Sequence, residues 1–174
     1  MTVNLAYTLG DGQGATNLLL ADLAARLMTQ GVRLAGTAQF DRERPDTHRC
    51  DMGVQVLPDG PVIRISQSLG TQARGCRLDP EALEQAVALT EARLQTGVDL
   101  LIVNKFGKHE SDGRGFRETI ARAAARNTPV LVGANKLNLQ ALQAFCGGAI
   151  VQIDPTPDAL LAWARTAIAQ AQAA

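Results

Sequence analysis

The chain has 174 residues, 46% hydrophobic but only 3% aromatic, so it can form an ordinary globular core built mainly from Leu, Val, Ile and Ala. Seventeen basic residues balance seventeen acidic ones, which excludes a global positive field for nucleic acid or anionic lipid. No apolar run approaches the roughly 20 residues of a membrane span, and no signal-like segment opens the chain. With three scattered cysteines, Cys50, Cys76 and Cys146, a cytoplasmic protein with reduced thiols is expected.

Residues 3–9 (VNLAYTL) read as a strand. Leucines and alanines then recur at helical spacing from Thr16 to Gln30, with Gly31 at the exit. Residues 32–40 form a second expected strand, whereas 41–50 (DRERPDTHRC) are polar, contain a proline and read as an exposed loop. In DMGVQVLPDGPVIRIS two short runs flank Pro58-Asp59-Gly60, the composition of an antiparallel hairpin. A surface loop is expected over 67–78. Asp79-Pro80 then supplies an N-cap and a first-turn proline for a helix to about Gln95.

The continuous apolar run Leu100–Val103 reads as a fully buried parallel strand, followed by an abrupt polar loop. A helix over 115–126, a strand over 129–134, a short helix from Leu139 to Phe145 and a strand over 149–153 come next. A last helix follows Pro157, with Trp163 as its anchor. This alternation implies one α/β domain over residues 1–174. Its three layers would be a mostly parallel sheet, helices on both faces and an inserted antiparallel hairpin.

Between the first strand and helix lies LGDGQGATN, residues 9–17. In a phosphate-binding loop, glycines bring main-chain N–H groups close to the anion, a lysine neutralises it, and a hydroxyl holds magnesium. Gly14 takes the last glycine position and Thr16 the hydroxyl position. Leu9 stands where the first glycine belongs, Ala15 where the lysine belongs, and Asp11 adds a negative charge nearby. Gly10, Gly12 and Ala15 also satisfy a dinucleotide pattern, though Asp41 comes late for its acidic partner. Two readings stand: a loop that binds a nucleotide or oxyanion through Gly10, Asp11, Gly12, Gln13, Gly14, Ala15, Thr16 and Asn17, or a turn without a ligand.

The run Val103-Asn104-Lys105 bears on that choice. Phosphate-loop enzymes end a neighbouring strand in a carboxylate that holds magnesium. Here Asn104 is neutral and Lys105 is cationic. Lys105, or Lys108, would supply the charge that Ala15 lacks, or else serve as a solvated loop lysine. Binding of a nucleoside phosphate is thus expected, and ordinary magnesium-assisted hydrolysis is not. The alternatives are a magnesium-dependent triphosphatase with Glu110 polarising water, and an interaction protein with a vestigial loop.

The set GATNLLL, GVRLAG, CDM, GCRLDP, VDLLIVNKFGKHE and GRGF resembles a bacterial family known only as a domain of unknown function (DUF2478). The resemblance covers nearly the whole chain. It implies a link to molybdenum uptake and a transporter-associated protein partner; the altered catalytic positions suggest an accessory or regulatory role, and small domains of this kind often pair with a second copy. More distantly, the chain is similar to nucleoside-triphosphatases of the thermophilic type and to molybdopterin-guanine-dinucleotide adaptor proteins, which implies a P-loop NTPase-like fold. Gly107 and Glu110 match the spacing of the strand-end motif of those proteins, and Asn104 and Lys105 replace its two acids.

Other groupings carry less. Cys50, Cys76 and His48 would suit a soft metal but match no compact ligand spacing, so structural thiols are expected. Arg49, Arg74 and Arg77 could contact an oxyanion or simply face solvent. Asn135 and Lys136 fit a guanine-reading element, but Asn138 replaces its aspartate. His109 is expected in a solvent-facing loop. The Gly113-Arg114-Gly115 turn is a candidate second anion contact.

Overall fold

The computed structural model describes residues 4–44, 49–67 and 77–174, and for 40–44 and 49–51 the backbone path alone. Strand β1 (Leu5–Thr8) leads through the glycine loop into α1 (Ala15–Thr29). Strands β2 (Leu34–Arg44), β3 (Arg49–Val56) and β4 (Val62–Arg64) follow, then the short pair β5 (Ser66–Gln67) and β6 (Arg77–Leu78). The remainder alternates as α2 (Pro80–Gln95), β7 (Leu100–Val103), α3 (Lys108–Ser111), α4 (Arg117–Ala125), β8 (Val130–Gly133), α5 (Leu139–Phe145), β9 (Val151–Gln152) and α6 (Pro157–Ala173).

Seven strands form one sheet in the order β4-β3-β2-β7-β8-β1-β9. Strands β2, β7, β8, β1 and β9 run parallel, and β3 and β4 extend the β2 edge antiparallel. This is the expected P-loop-like α/β architecture with its inserted hairpin. β8 lies between β1 and β7, so the chain changes direction across the sheet there. In open α/β sheets such a crossover leaves a crevice at the carboxyl ends of the strands.

Alternation along the strands separates two cores. Leu100, Ile102 and Leu131 pack with Leu20, Leu23 and Leu27 of α1 and with Leu160, Ala164 and Ile168 of α6. Leu101, Val103, Val130 and Val132 face the opposite way, onto α2, α4 and α5. All eight residues of β7 and β8 are buried, as strands covered on both faces must be. Burial of each leucine contributes about 1.5–3 kcal/mol before chain entropy is counted. Trp163 is half-buried against the α1–α6 core.

The caps follow their local chemistry. Asp79 accepts from Glu81 N at 3.1 Å and Ala82 N at 3.2 Å, with Pro80 in the first turn of α2. Thr156 caps α6 through Ala159 N at 3.3 Å.

Three expectations need correction. Residues 41–44 and 49–50 are strand, not loop: the β2–β3 ladder that starts at Thr37 and Val56 continues out to Arg44 and Arg49. Main-chain ladder bonds do not depend on apolar side chains, so polar composition misled there. The polar stretch after β7 contains the helix α3. Both ends of the expected 67–78 loop are strand: Gln67 pairs with Arg77, and Leu78 with Ser66.

Candidate functional site

A cavity of about 410 Å³ opens at the carboxyl ends of the central strands. Three chain segments meet there: the loop after β1, the Asn104-Lys105 step after β7, and Gly133 to Asn135 after β8.

The loop's shape comes from its glycines. Gly12 and Gly14 hold φ values of 94° and 77°, a region that side-chain-bearing residues rarely adopt. Gly14 is the N-cap of α1 and provides no side-chain cap, so the helix opens on main-chain groups alone. The first N–H groups of a helix have no intrahelical acceptor and carry a partial positive charge. Thr16 Oγ1 accepts from Gly10 N at 2.9 Å, which folds the loop back onto the helix start. That hydroxyl is engaged by the loop itself.

Of the loop residues, Gly10, Gly12, Gln13, Gly14, Thr16 and Asn17 line the cavity. Asp11 is exposed, and neither it nor Ala15 lines the space. The carboxylate that looked adverse in the sequence is therefore not part of the wall.

Asn104 is 3% exposed and forms the centre of an amide cluster. Its Oδ1 accepts from Gln39 N at 3.0 Å, while its Nδ2 donates to Asn17 Oδ1 at 2.9 Å and Gln39 Oε1 at 3.1 Å. One side chain thereby joins α1, β2 and β7 beneath the loop. Sequence reading singled out Asn104 and Asn17 but missed Gln39, which lies in an unremarkable strand 65 residues away in sequence.

Lys105 is exposed, lines the same cavity, and has neither ion-pair nor hydrogen-bond partner among the described residues. Lys108 and Glu110 do not line this cavity; both line a neighbouring one. Glu110 is 3% exposed, and its two oxygens are taken by main-chain donors: Oε2 accepts from Gly107 N at 2.9 Å and Oε1 from Phe116 N at 3.2 Å. One carboxylate thus ties together both ends of the segment that contains α3. Gly115 makes room for it, since a Cβ at that position would stand 2.1 Å from Glu110 Oε1.

His109 is buried, not solvent-facing: its Nε2 lies 3.0 Å from Glu84 Oε1. The α3 turn carries it inward between α3 and α2, which an isolated polar run does not reveal. Glu84 Oε1 also accepts from Gly115 N at 2.9 Å, so a protein carboxylate already holds the amide suggested for a second anion. Asn135 Oδ1 accepts from Asn138 N at 2.9 Å, and Ser111 Oγ donates to Asn138 Oδ1 at 3.0 Å. These amides brace the β8–α5 turn against α3.

Among the described residues no three potential metal ligands cluster, and no helix is long and apolar enough to cross a membrane. His48, Arg74 and Cys76 lie outside the described residues, as does the Cys50 side chain.

Over residues 5–163 the sequence matches the family described as "Protein of unknown function (DUF2478)". The chain belongs to this family. Another protein similar to this family member is the molybdenum import ATP-binding protein ModC 2 of Bradyrhizobium diazoefficiens, 37% identical over 138 residues. The match takes in 78% of this chain but 15% of that protein, so the chain corresponds to a small part of its curated relative. No solved structure matches the chain.

Proposed function

We propose that this chain binds a nucleoside phosphate or a related oxyanion at the glycine loop, with Lys105 supplying the positive charge that Ala15 does not. The observation that carries this reading is the shared cavity: the uncapped start of α1 and Lys105, which has no partner among the described residues, line one space at the strand ends. Main-chain N–H groups and a helix N-terminus favour an anion there, and a facing ammonium group adds to the attraction.

In this reading the chain binds without ordinary hydrolysis. Asn104 brings no negative charge for magnesium, Thr16 Oγ1 is engaged with Gly10 N, and Glu110 acts as a brace for the segment after β7. The role is accessory or regulatory, in a single domain. The relative's name supports a setting in molybdenum import and an ATP-like ligand. Because the match covers 15% of that protein, both belong to the proposal.

Titration calorimetry with the wild-type chain and Lys105→Ala tests it, using ATP, GTP, their diphosphates, inorganic phosphate and molybdate. A charge-assisted contact at an exposed lysine is worth about 1 kcal/mol, so affinity should fall roughly threefold to tenfold. Equal affinity of both proteins for every ligand that binds would sink the role of Lys105. No binding by the wild type would sink the site.

A further inference from the structure

A second cavity, about 300 Å³, lies beside the first. Gln39, Met52, Asn104, Lys105 and Asn135 line both, so the two spaces share a wall. Their linings differ in chemistry. The first is mostly main chain and amides. The second is walled by Val54, Ile65, Leu83 and Phe116, none more than 7% exposed.

Polar side chains line it too, but Glu110, His109, Asn104, Asn135 and Asn138 already have hydrogen-bond partners. Thr37 lines the second cavity and is 1% exposed, yet its hydroxyl has no hydrogen-bond partner among the described residues. Ala35, Thr37 and Gln39 share one face of β2 by strand alternation, and Ala35 packs into the core beneath α2. That hydroxyl is not fully enclosed by protein, so it is open to a partner within the cavity. Lys105 and Lys108 also line it, both exposed and without ion-pair partners among the described residues.

We propose that the two cavities hold one ligand between them: an organic phosphate whose phosphate sits at the glycine loop and whose heterocyclic ring enters the second cavity, with its polar edge at Thr37. This rests on the reading of the loop as a phosphate site and names the ligand class for it. A lipid chain would leave the Thr37 hydroxyl buried without a partner, and a sugar would set its hydroxyls against four apolar side chains. A flat ring with a hydrogen-bonding edge satisfies both. Small-molecule sites commonly have this make-up, an apolar lining with a few convergent polar groups.

The test is calorimetric titration of the full chain with inorganic phosphate, phenyl phosphate, the four common nucleoside monophosphates, pyridoxal phosphate and flavin mononucleotide. At least one heterocyclic phosphate should bind more than about tenfold tighter than inorganic phosphate. Val54→Phe, which fills the second cavity, should erase that advantage and leave inorganic phosphate unaffected. Thr37→Val keeps the shape and removes the hydroxyl, so it should weaken the heterocyclic phosphate about fivefold and spare phenyl phosphate. If inorganic phosphate binds and no ring-bearing phosphate exceeds it, the ring site is wrong and the loop reading survives. An advantage that persists in Val54→Phe, or an unchanged affinity in Thr37→Val, also overturns the ring site. If nothing in the panel binds, the loop reading fails and this proposal fails with it.

Discussion

At Asn104 the orientation of the side chain is dictated by a main-chain donor. Gln39 N can only donate, so Oδ1 must face it, and Nδ2 is left to meet the oxygens of Asn17 and Gln39. Restoring the acid typical of phosphate-loop enzymes would therefore put a buried carboxylate against two acceptors. We expect Asn104→Asp to lower unfolding stability by about 3 kcal/mol near pH 8, the cost of an unsatisfied buried charge. The loss should shrink as the pH is lowered and the new carboxyl takes up a proton, because its folded-state pKa is raised by the same acceptors. Urea denaturation at several pH values checks this; equal stability at pH 8 would mean that the cluster accommodates a charge. The neutral residue is thus interlocked with Asn17 and Gln39, and magnesium chemistry cannot be recovered by one substitution.

The segment from Gly107 to Phe116 is the element whose behaviour depends most on a single group. Both of its ends donate to Glu110, and Gly115, at φ 62°, leaves space for that carboxylate. Glu110→Gln retains one acceptor oxygen and turns an NH₂ group toward the other main-chain donor. It should destabilise the protein by about 1–3 kcal/mol. Gly115→Ala adds a Cβ at a position where Glu110 Oε1 already stands and imposes a positive φ on alanine, so a similar or larger loss is expected. In both variants the Gly107 and Phe116 amides should exchange with deuterium faster than in the wild type. Unchanged exchange would show that the segment is held by its apolar contacts instead. Phosphate release that requires Glu110 would favour the hydrolytic alternative.

Across the whole molecule, the strand edge opposite the site is pinned by Asp99. Its carboxylate accepts from Arg33 N and Arg33 NH2 at 2.8 Å, from Arg33 Nε at 3.3 Å and from Gln172 Nε2 at 3.3 Å, joining the approaches to β2 and β7 with α6. The hydrogen bonds and charge of Arg33 hold the Asp99 carboxyl below the ordinary carboxylate range. A carboxyl whose pKa is lower folded than unfolded stabilises the protein above the unfolded value, and that stability is lost as the pH falls toward the folded value. Asp99→Asn should therefore lower the Tm at pH 7, and its gap to wild type should narrow as the solution is acidified through the carboxylate range. A gap independent of pH would assign the effect to packing.

Local rules decided much of this protein before any tertiary contact was known. Asp79-Pro80 starts α2, Leu139–Phe145 is a helix with the expected bounds, and Pro58-Asp59-Gly60 turns the hairpin, since caps, turns and periodicity act within a few residues. The same holds for the glycine loop, whose backbone needs are written in its residue types. The rest required the fold. The polar ends of β2 and β3 are extended by pairing with each other, His109 is buried because α3 turns it toward Glu84, and Asp11 does not line the cavity. Gln39 and Lys105 join the loop around one cavity and Thr37 lines the adjoining one through strand order, which brings together residues far apart in the chain. Hydrogen-bond satisfaction and the shape of a cavity are properties of such distant sets, so tertiary structure alone could decide them.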